Sequence, residues 1–158
     1  MLITIAAVGR LKAGPEREIF DRFLDRATAA GRNVGIAVSV REFPESRAAT
    51  AALRKDQEAS AILAALPTGA ALVALDEAGK GLDSRAFAGR IAQWRDAATD
   101  IVFVIGGADG HGPAVVGRAA MRLAFGAMTW PHQLVRLMLA EQLYRAVTIL
   151  SGHPYHRD

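Results

Sequence analysis

The chain has 158 residues, of which 51% are apolar and 22% are charged, and this composition excludes an intrinsically disordered protein. It contains no cysteine, which excludes disulfide bonds, cysteine–zinc and iron–sulfur sites, and a cysteine nucleophile. The net charge is only +3, although 16 of the 19 basic residues are arginine. Arginine suits phosphate groups, but a GC-rich coding bias is an alternative explanation of the excess.

Short apolar stretches alternate with segments of helical periodicity along the whole chain. The predicted strands are residues 2–8, 34–40, 70–75, 101–105 and 124–129. The predicted helices are residues 15–31, 46–67 with Ser46 as the cap, a third beginning at Asp83 or Ser84, 114–122 and 131–150. Strands that alternate with helices predict a single α/β domain over residues 1–158, with a mostly parallel sheet and helices on both faces.

No apolar stretch approaches the roughly 18–20 residues that cross a bilayer. The apolar start of the chain precedes its first basic residue, which reverses the order found in a secretion signal. We therefore expect a cytoplasmic protein without membrane contact.

A glycine-rich loop follows the fourth predicted strand, with four glycines in residues 106–112. Glycine lets the backbone approach a ligand closely, and consecutive N–H groups can bind an anion or an adenine edge. The spacing matches neither the Walker A nor the GxGxxG motif. Because ligands bind beyond the carboxyl ends of strands in open α/β sheets, we expect a site at the loops after Leu75, Ile105 and Thr129. A long tight turn without a ligand is the alternative.

The last helix and the tail after it carry the other candidate features. The helix is apolar around most of its circumference, which predicts cover on more than one side, by a partner subunit or by the core of a monomer. The tail of residues 151–158 contains His153, Tyr155 and His156, which could stack on bases and contact phosphate. A disordered terminus is the alternative. We expect no metal site, because the two histidines have no acidic or cysteine partner to complete one.

Four sequence blocks occur in order: FVIGGADG at 103–110, PHQLVR at 131–136, AEQLYRA at 140–146 and HPYHR at 153–157. The end of the third strand, Leu75-Asp76, followed by Gly79-Lys80, accompanies them. Together they resemble the ribosomal RNA large-subunit methyltransferase H family, which is of the SPOUT class. The resemblance extends over the whole chain, both in length and in the order of elements.

The resemblance implies an α/β methyltransferase fold whose C-terminal part forms a trefoil knot, and a homodimer. It implies S-adenosylmethionine as the cofactor and methyl transfer to N3 of a pseudouridine in 23S ribosomal RNA on assembled ribosomes. The cofactor positions that it implies are Leu75, Gly107, Gly126, Ala127, Met128, Thr129, Trp130 and Pro131.

Methylation at N3 requires that this nitrogen lose its proton, so a base or a strong hydrogen bond is needed. The candidate catalytic residues are His153 and Tyr155 in the tail, with Arg136 or Arg145 for contacts to phosphate or base. We expect the tail to become ordered on RNA. The alternatives are a noncatalytic ribosome-associated module of the same fold and a nucleotide-binding hydrolase or reductase.

Overall fold

A computed structural model describes residues 1–157 of the chain, and Asp158, the last residue of the predicted domain and tail, lies outside them. Across these residues the strands form one parallel sheet in the order β2-β1-β4-β3-β5. The strands are β1 Leu2–Val8, β2 Ala37–Phe43, β3 Ala71–Gly81, β4 Ile101–Ile105 and β5 Met121–Ala124. The predicted fold class is confirmed, and the trefoil knot stays a prediction.

Helices cover both faces of the sheet. They are α1 Pro15–Gly31, α2 Ala51–Ala64, α3 Ser84–Asp96, α4 Pro113–Arg118 and α5 His132–Leu150. One apolar cluster lies between the sheet and α1, α3 and α5, and the other lies between the sheet and α2 and α4. The central strand β4 is buried along its whole length, which explains why its sequence is apolar without alternation.

Two predicted boundaries in the first half of the chain were wrong. Strand β2 begins at Ala37 rather than residue 34, because a turn of 3₁₀ helix over Arg32–Val34 follows α1 and Gly35 then adopts a φ of 69°. Helix α2 begins after Thr50, whose side chain accepts a hydrogen bond from the Leu53 amide, and not at Ser46. Ser46 lies in the preceding loop instead.

Two further boundaries differ near the carboxyl edge of the sheet. Residues 76–81, predicted as a loop, continue β3, which pairs with β5 through a register shift between Leu75 and Lys80. Because of this pairing, β5 occupies Met121–Ala124 and not residues 124–129, and α4 ends at Arg118. Gly126, with a φ of 115°, lies in the loop of residues 125–131 that connects β5 to α5. In the part of the chain that the structure describes, no helix is both long and apolar enough to cross a membrane.

Candidate functional site

An open cavity of about 640 Å³ lies at the carboxyl ends of β3, β4 and β5. Its walls are the end of β3, the glycine-rich loop after β4, the loop of residues 125–131 and the first turn of α5. A volume of this size is typical of small-molecule sites. The position is the one that the parallel sheet predicts, because the three strands end at the same edge.

The predicted cofactor positions converge on this cavity. The lining residues include Leu75, Gly107, Gly126, Met128, Thr129, Trp130 and Pro131. Ala127 belongs to the same loop but is not among the described lining residues. The structure therefore brings together three segments that are far apart in the sequence, and their role in binding a cofactor stays a prediction.

The glycine-rich loop is folded closely on itself and on α2. The Gly110 amide donates to the Gly107 carbonyl at 3.0 Å, and Gly110 adopts a φ of 79°. A Cβ at Gly106 would lie 2.9 Å from the backbone of Gly110, and a Cβ at Gly112 would lie 2.7 Å from the carbonyl oxygen of Lys55. Positions 106 and 112 therefore leave no room for a side chain.

Helix α2 holds the loop in place through charged groups. The Arg54 guanidinium donates to both carboxylate oxygens of Asp109, at 2.6 and 3.0 Å, and this bonding lowers the pKa of Asp109. Glu58 is buried and accepts a hydrogen bond of 2.9 Å from the Ser46 amide. Its other carboxylate oxygen is 3.3 Å from the point where a Cβ of Gly107 would lie, so it packs directly behind the cavity wall.

His111 joins the glycine-rich loop to the end of β3. Its Nε2 donates to the Leu75 carbonyl oxygen at 2.7 Å, and burial lowers the pKa of the ring, which favours the neutral imidazole. His111 was not among the site residues predicted from the sequence. Its position among the four glycines of the loop was the only sequence signal that pointed to it. Its hydrogen-bond partner, Leu75, lies 36 residues away in the sequence.

The part of β3 that follows its pairing with β4 carries two carboxylates at the cavity. Although burial acts to raise the pKa of Asp76, hydrogen bonds from the Ala78 amide and from Arg122 lower it. The Arg122 guanidinium lies 2.9 Å from Asp76, and the Thr129 hydroxyl donates to Glu77. The second contact connects β3 to the loop of residues 125–131.

The two candidate catalytic residues of the tail lie away from this cavity. The Tyr155 hydroxyl donates to Glu141 at 3.0 Å, and its ring centroid is 4.5 Å from that of Tyr144. Burial and the bond to Glu141 raise the pKa of Tyr155. His153 is exposed, and its Nδ1 accepts a hydrogen bond of 3.2 Å from the Tyr155 amide.

The length of α5 separates the tail from the cavity. The cavity lies at the first turn of this 19-residue helix, whereas Tyr155 is bonded to Glu141, which is about 14 Å further along the helix axis than His132. Arg145, also predicted to contact RNA, is near the tail: it pairs with Glu141 and lies 4.9 Å from the centroid of the Tyr155 ring. Within one chain, the tail residues and the cavity therefore do not meet.

Arg136 lies in the interior, with 1% of its surface exposed. Its guanidinium donates to Glu42 at 3.0 Å, to the Gly9 carbonyl at 2.8 Å and to the Val8 carbonyl. Burial lowers its pKa. This placement differs from the predicted contact with phosphate or base, because the ends of β1 and β2 already provide the partners of the guanidinium. Across residues 1–157, no group of three or more histidine, cysteine, aspartate or glutamate side chains could hold a metal ion.

Comparison with known proteins identifies relatives over the full length of the chain. The family model described as "Predicted SPOUT methyltransferase" matches residues 1–156. A protein of Sinorhizobium medicae is 57% identical over 159 residues, one of Nitrobacter hamburgensis is 55% identical over 159, and one of Brucella anthropi is 55% identical over 160. Each alignment covers at least 99% of both chains, and each relative is named ribosomal RNA large subunit methyltransferase H.

Solved structures show a weaker similarity. A methyltransferase from Legionella pneumophila with its bound cofactor SAM aligns with a TM-score of 0.45 and 12% identity, covering 94% of this chain and 66% of that one. The SpoU methyltransferase AviRb from Streptomyces viridochromogenes, in complex with AdoMet, aligns with a TM-score of 0.41 and 14% identity, covering 96% and 61%. Both scores are below 0.5, so neither similarity bears on the function of this chain.

Proposed function

The chain belongs to the SPOUT methyltransferase family, and from that premise we propose that it methylates ribosomal RNA of the large subunit with S-adenosylmethionine. The acceptor is N3 of a pseudouridine in 23S ribosomal RNA, and the substrate is the assembled ribosome in the cytoplasm. The observation that carries the proposal is the single cavity into which the three predicted cofactor segments converge. The names and full-length identities of the relatives support the same reaction.

The residues around the cavity fit S-adenosylmethionine. Gly106 and Gly107 expose backbone at one wall, and the loop of residues 125–131 supplies backbone groups at the other. Asp76 and Glu77 place carboxylates beside the space that a positively charged ligand would occupy. When bound, the cofactor supplies a methyl group that its sulfonium charge activates. The contribution of the protein is to align the acceptor nitrogen with that group and to exclude water.

We propose a homodimer, because the outward face of α5 is apolar and packs into neither apolar cluster of the single chain. Leu134, Leu137 and Met138 are partly buried, yet neither apolar cluster of residues 1–157 includes them. A second copy packed on this face by a two-fold axis would bury them. If the two α5 helices are antiparallel, the tail of each subunit lies near the cavity of the other. The dimer would then unite His153 and Tyr155 with the cofactor segments.

The test is methyl transfer from labelled S-adenosylmethionine to ribosomes from a strain that lacks this protein. Assembled ribosomes, free large subunits and naked ribosomal RNA are offered separately. We expect label in one pseudouridine, with assembled ribosomes as the substrate. If naked RNA is labelled as well, the protein is still a methyltransferase, but it does not require the assembled ribosome. Cofactor binding without label in any acceptor would favour the noncatalytic ribosome-associated module.

A further inference from the structure

The cavity is lined by several side chains that could accept a proton. Within the described residues these are Asp76, Glu77, Asp109, His111 and His132. A reaction at N3 needs one such group whose lone pair is available to the acceptor. A side chain that a neighbour holds is fixed in the wall, whereas one without such a bond is free to turn toward the acceptor, so we compare the hydrogen bonds of the five groups.

Four of the five already have partners. Asp76 binds Arg122 and the Ala78 amide, and Asp109 holds Arg54 with both carboxylate oxygens. The two remaining partnered groups are Glu77, which accepts the Thr129 hydroxyl, and His111, whose Nε2 is bonded to the Leu75 carbonyl. The two aspartates are held in the charged state, because the pKa of each is lowered. Each of these groups thus contributes to the wall of the cavity.

His132 differs from them. It is the first residue of α5, directly after Pro131 of the predicted cofactor segment, and it lines the cavity while partly buried. Its side chain forms no hydrogen bond or ion pair with any other residue among 1–157. An imidazole ring nitrogen with no partner offers a lone pair to a bound acceptor, which is the feature that a general base requires.

We propose that His132 is the general base of the reaction and takes the proton from N3 of the acceptor base. This inference rests on the proposed function. The N3–H bond breaks as a ring nitrogen of His132 accepts the proton. The electron pair left on N3 forms the bond to the methyl carbon, and the pair of the broken carbon–sulfur bond stays on sulfur, which becomes a neutral thioether. The imidazolium then releases its proton to water.

The assignment predicts a pH dependence. A base that already carries a proton has no lone pair for N3, so the rate of methyl transfer falls as the pH is lowered, and this fall depends on residue 132. The other titratable groups that face the cavity are Asp76, Glu77, Asp109 and His111. The pKa values of both aspartates are lowered, which keeps their carboxylates charged as the pH falls toward mild acid.

The experiment measures single-turnover methyl transfer to ribosomes by the full chain and by His132→Gln, with S-adenosylmethionine affinity measured by calorimetry on the same samples. Glutamine retains polar atoms at this position but is not a base. We expect the rate to fall by about 100-fold or more, the range that general bases contribute, while cofactor affinity changes less than about twofold. The control is Gln133→Ala, since Gln133 is the next residue of α5 and is not among the described cavity-lining residues. It should retain the full rate.

A second variant provides a readout that altered folding would not change. In His132→Ala, added imidazole should restore part of the lost rate, and the acid limb of the pH–rate profile of the full chain should be absent from His132→Gln. A wild-type rate in His132→Gln, with label still on the ribosome, would overturn the assignment and leave the proposed function intact. If the unmodified chain transfers no methyl group to any acceptor, the proposed function fails and this inference fails with it.

Discussion

The Nε2 atom of His111 lies 2.7 Å from the carbonyl oxygen of Leu75, so one hydrogen bond connects the glycine-rich loop to β3 at the point where β3 stops pairing with β4. Both residues line the cavity. The loop is also attached to α2 through Arg54 and Asp109. Two contacts on opposite sides therefore determine where the loop backbone lies relative to the strand end.

Replacing His111 with leucine should weaken S-adenosylmethionine binding by about tenfold, because the Leu75 carbonyl loses its donor and the loop loses its attachment to β3. Calorimetric titration of the cofactor measures the effect. His111→Gln is the matched variant, since an amide can donate to the same carbonyl, and it should recover most of the affinity. Equal affinity in His111→Leu and the unmodified chain would show that this bond does not shape the site.

The lowered pKa of His111 predicts that folding stability decreases in mild acid. The unfolded chain takes up this proton near the ordinary value of 6.5, whereas the folded chain does so only at lower pH. Between the two values the unfolded state binds more protons, so stability falls as the pH is lowered. Thermal unfolding from about pH 7 to about pH 5 should show a smaller loss of Tm in His111→Gln than in the unmodified chain. The other histidines are common to both proteins.

Gly112→Ala should displace the glycine-rich loop, because the new Cβ would lie 2.7 Å from the backbone oxygen of Lys55. We expect a loss of about 1–3 kcal/mol in the free energy of unfolding, together with weaker cofactor binding. Gly117→Ala is the control: this glycine lies in α4 and its Cβ would have nothing within 4 Å. Alanine there should leave stability unchanged or raise it. Urea unfolding and cofactor titration of both variants test the difference.

Arg136→Met should destabilise the fold by about 3 kcal/mol, because it removes the cation that Glu42 and the carbonyls of Val8 and Gly9 share. Urea unfolding at one protein concentration measures the loss. Arg32→Met, at an exposed position after α1, should stay within about 0.5 kcal/mol of the unmodified chain. Similar losses in the two variants would contradict a special role for the buried guanidinium.

The outward face of α5 predicts how the subunits can be separated. Met138→Glu places a charge among the apolar residues of that face and should shift the protein to monomers in sedimentation analysis. Leu53→Glu is the matched control, since Leu53 is 52% exposed on α2, which covers the opposite face of the sheet. A monomeric unmodified chain, or a dimer unaffected by Met138→Glu, would reject the proposed interface.

Mixed dimers test whether the site is shared between subunits. A chain without residues 151–158 retains its cavity and His132, and a His132→Gln chain retains its tail. Each of these two variants alone should methylate ribosomes at a low rate. A mixture that exchanges subunits should recover activity, because one cavity then has both His132 and a partner's tail. No recovery in a mixture shown to contain hybrid dimers would place the whole site within one chain.

The parts of the fold that were predictable from sequence are those governed by local pattern. The apolar strands β1 and β4 and the helix α5 occur at the predicted residues. Each of them is buried, and the apolar pattern of its own consecutive side chains indicates this burial. Residues 76–81 were predicted as a loop because they are polar and rich in glycine. Their pairing with β5 depends on a segment some 40 residues further along the chain, which no local pattern contains.

The same distinction applies to the site. The general rule that open α/β sheets bind ligands beyond the carboxyl ends of their strands was sufficient to locate the cavity. The partners of individual side chains were not predictable, because Arg136 and Glu42 are 94 residues apart and His111 and Leu75 are 36 apart. Arg136 was predicted to contact phosphate or base, and only the packed structure shows the carbonyl groups that surround it.

Helix α5 is an uninterrupted spacer between the cavity and the tail. Adding one residue to it would lengthen it by about 1.5 Å and rotate everything after the insertion by about 100°. The apolar outward face would then no longer be continuous. An insertion after Tyr144 would also move the Tyr155 side chain away from Glu141 and Tyr144. Substitutions that preserve apolar character can be tolerated along this helix, whereas insertions and deletions cannot. The number of residues in α5 is therefore constrained in addition to the identities of His132 and Arg136.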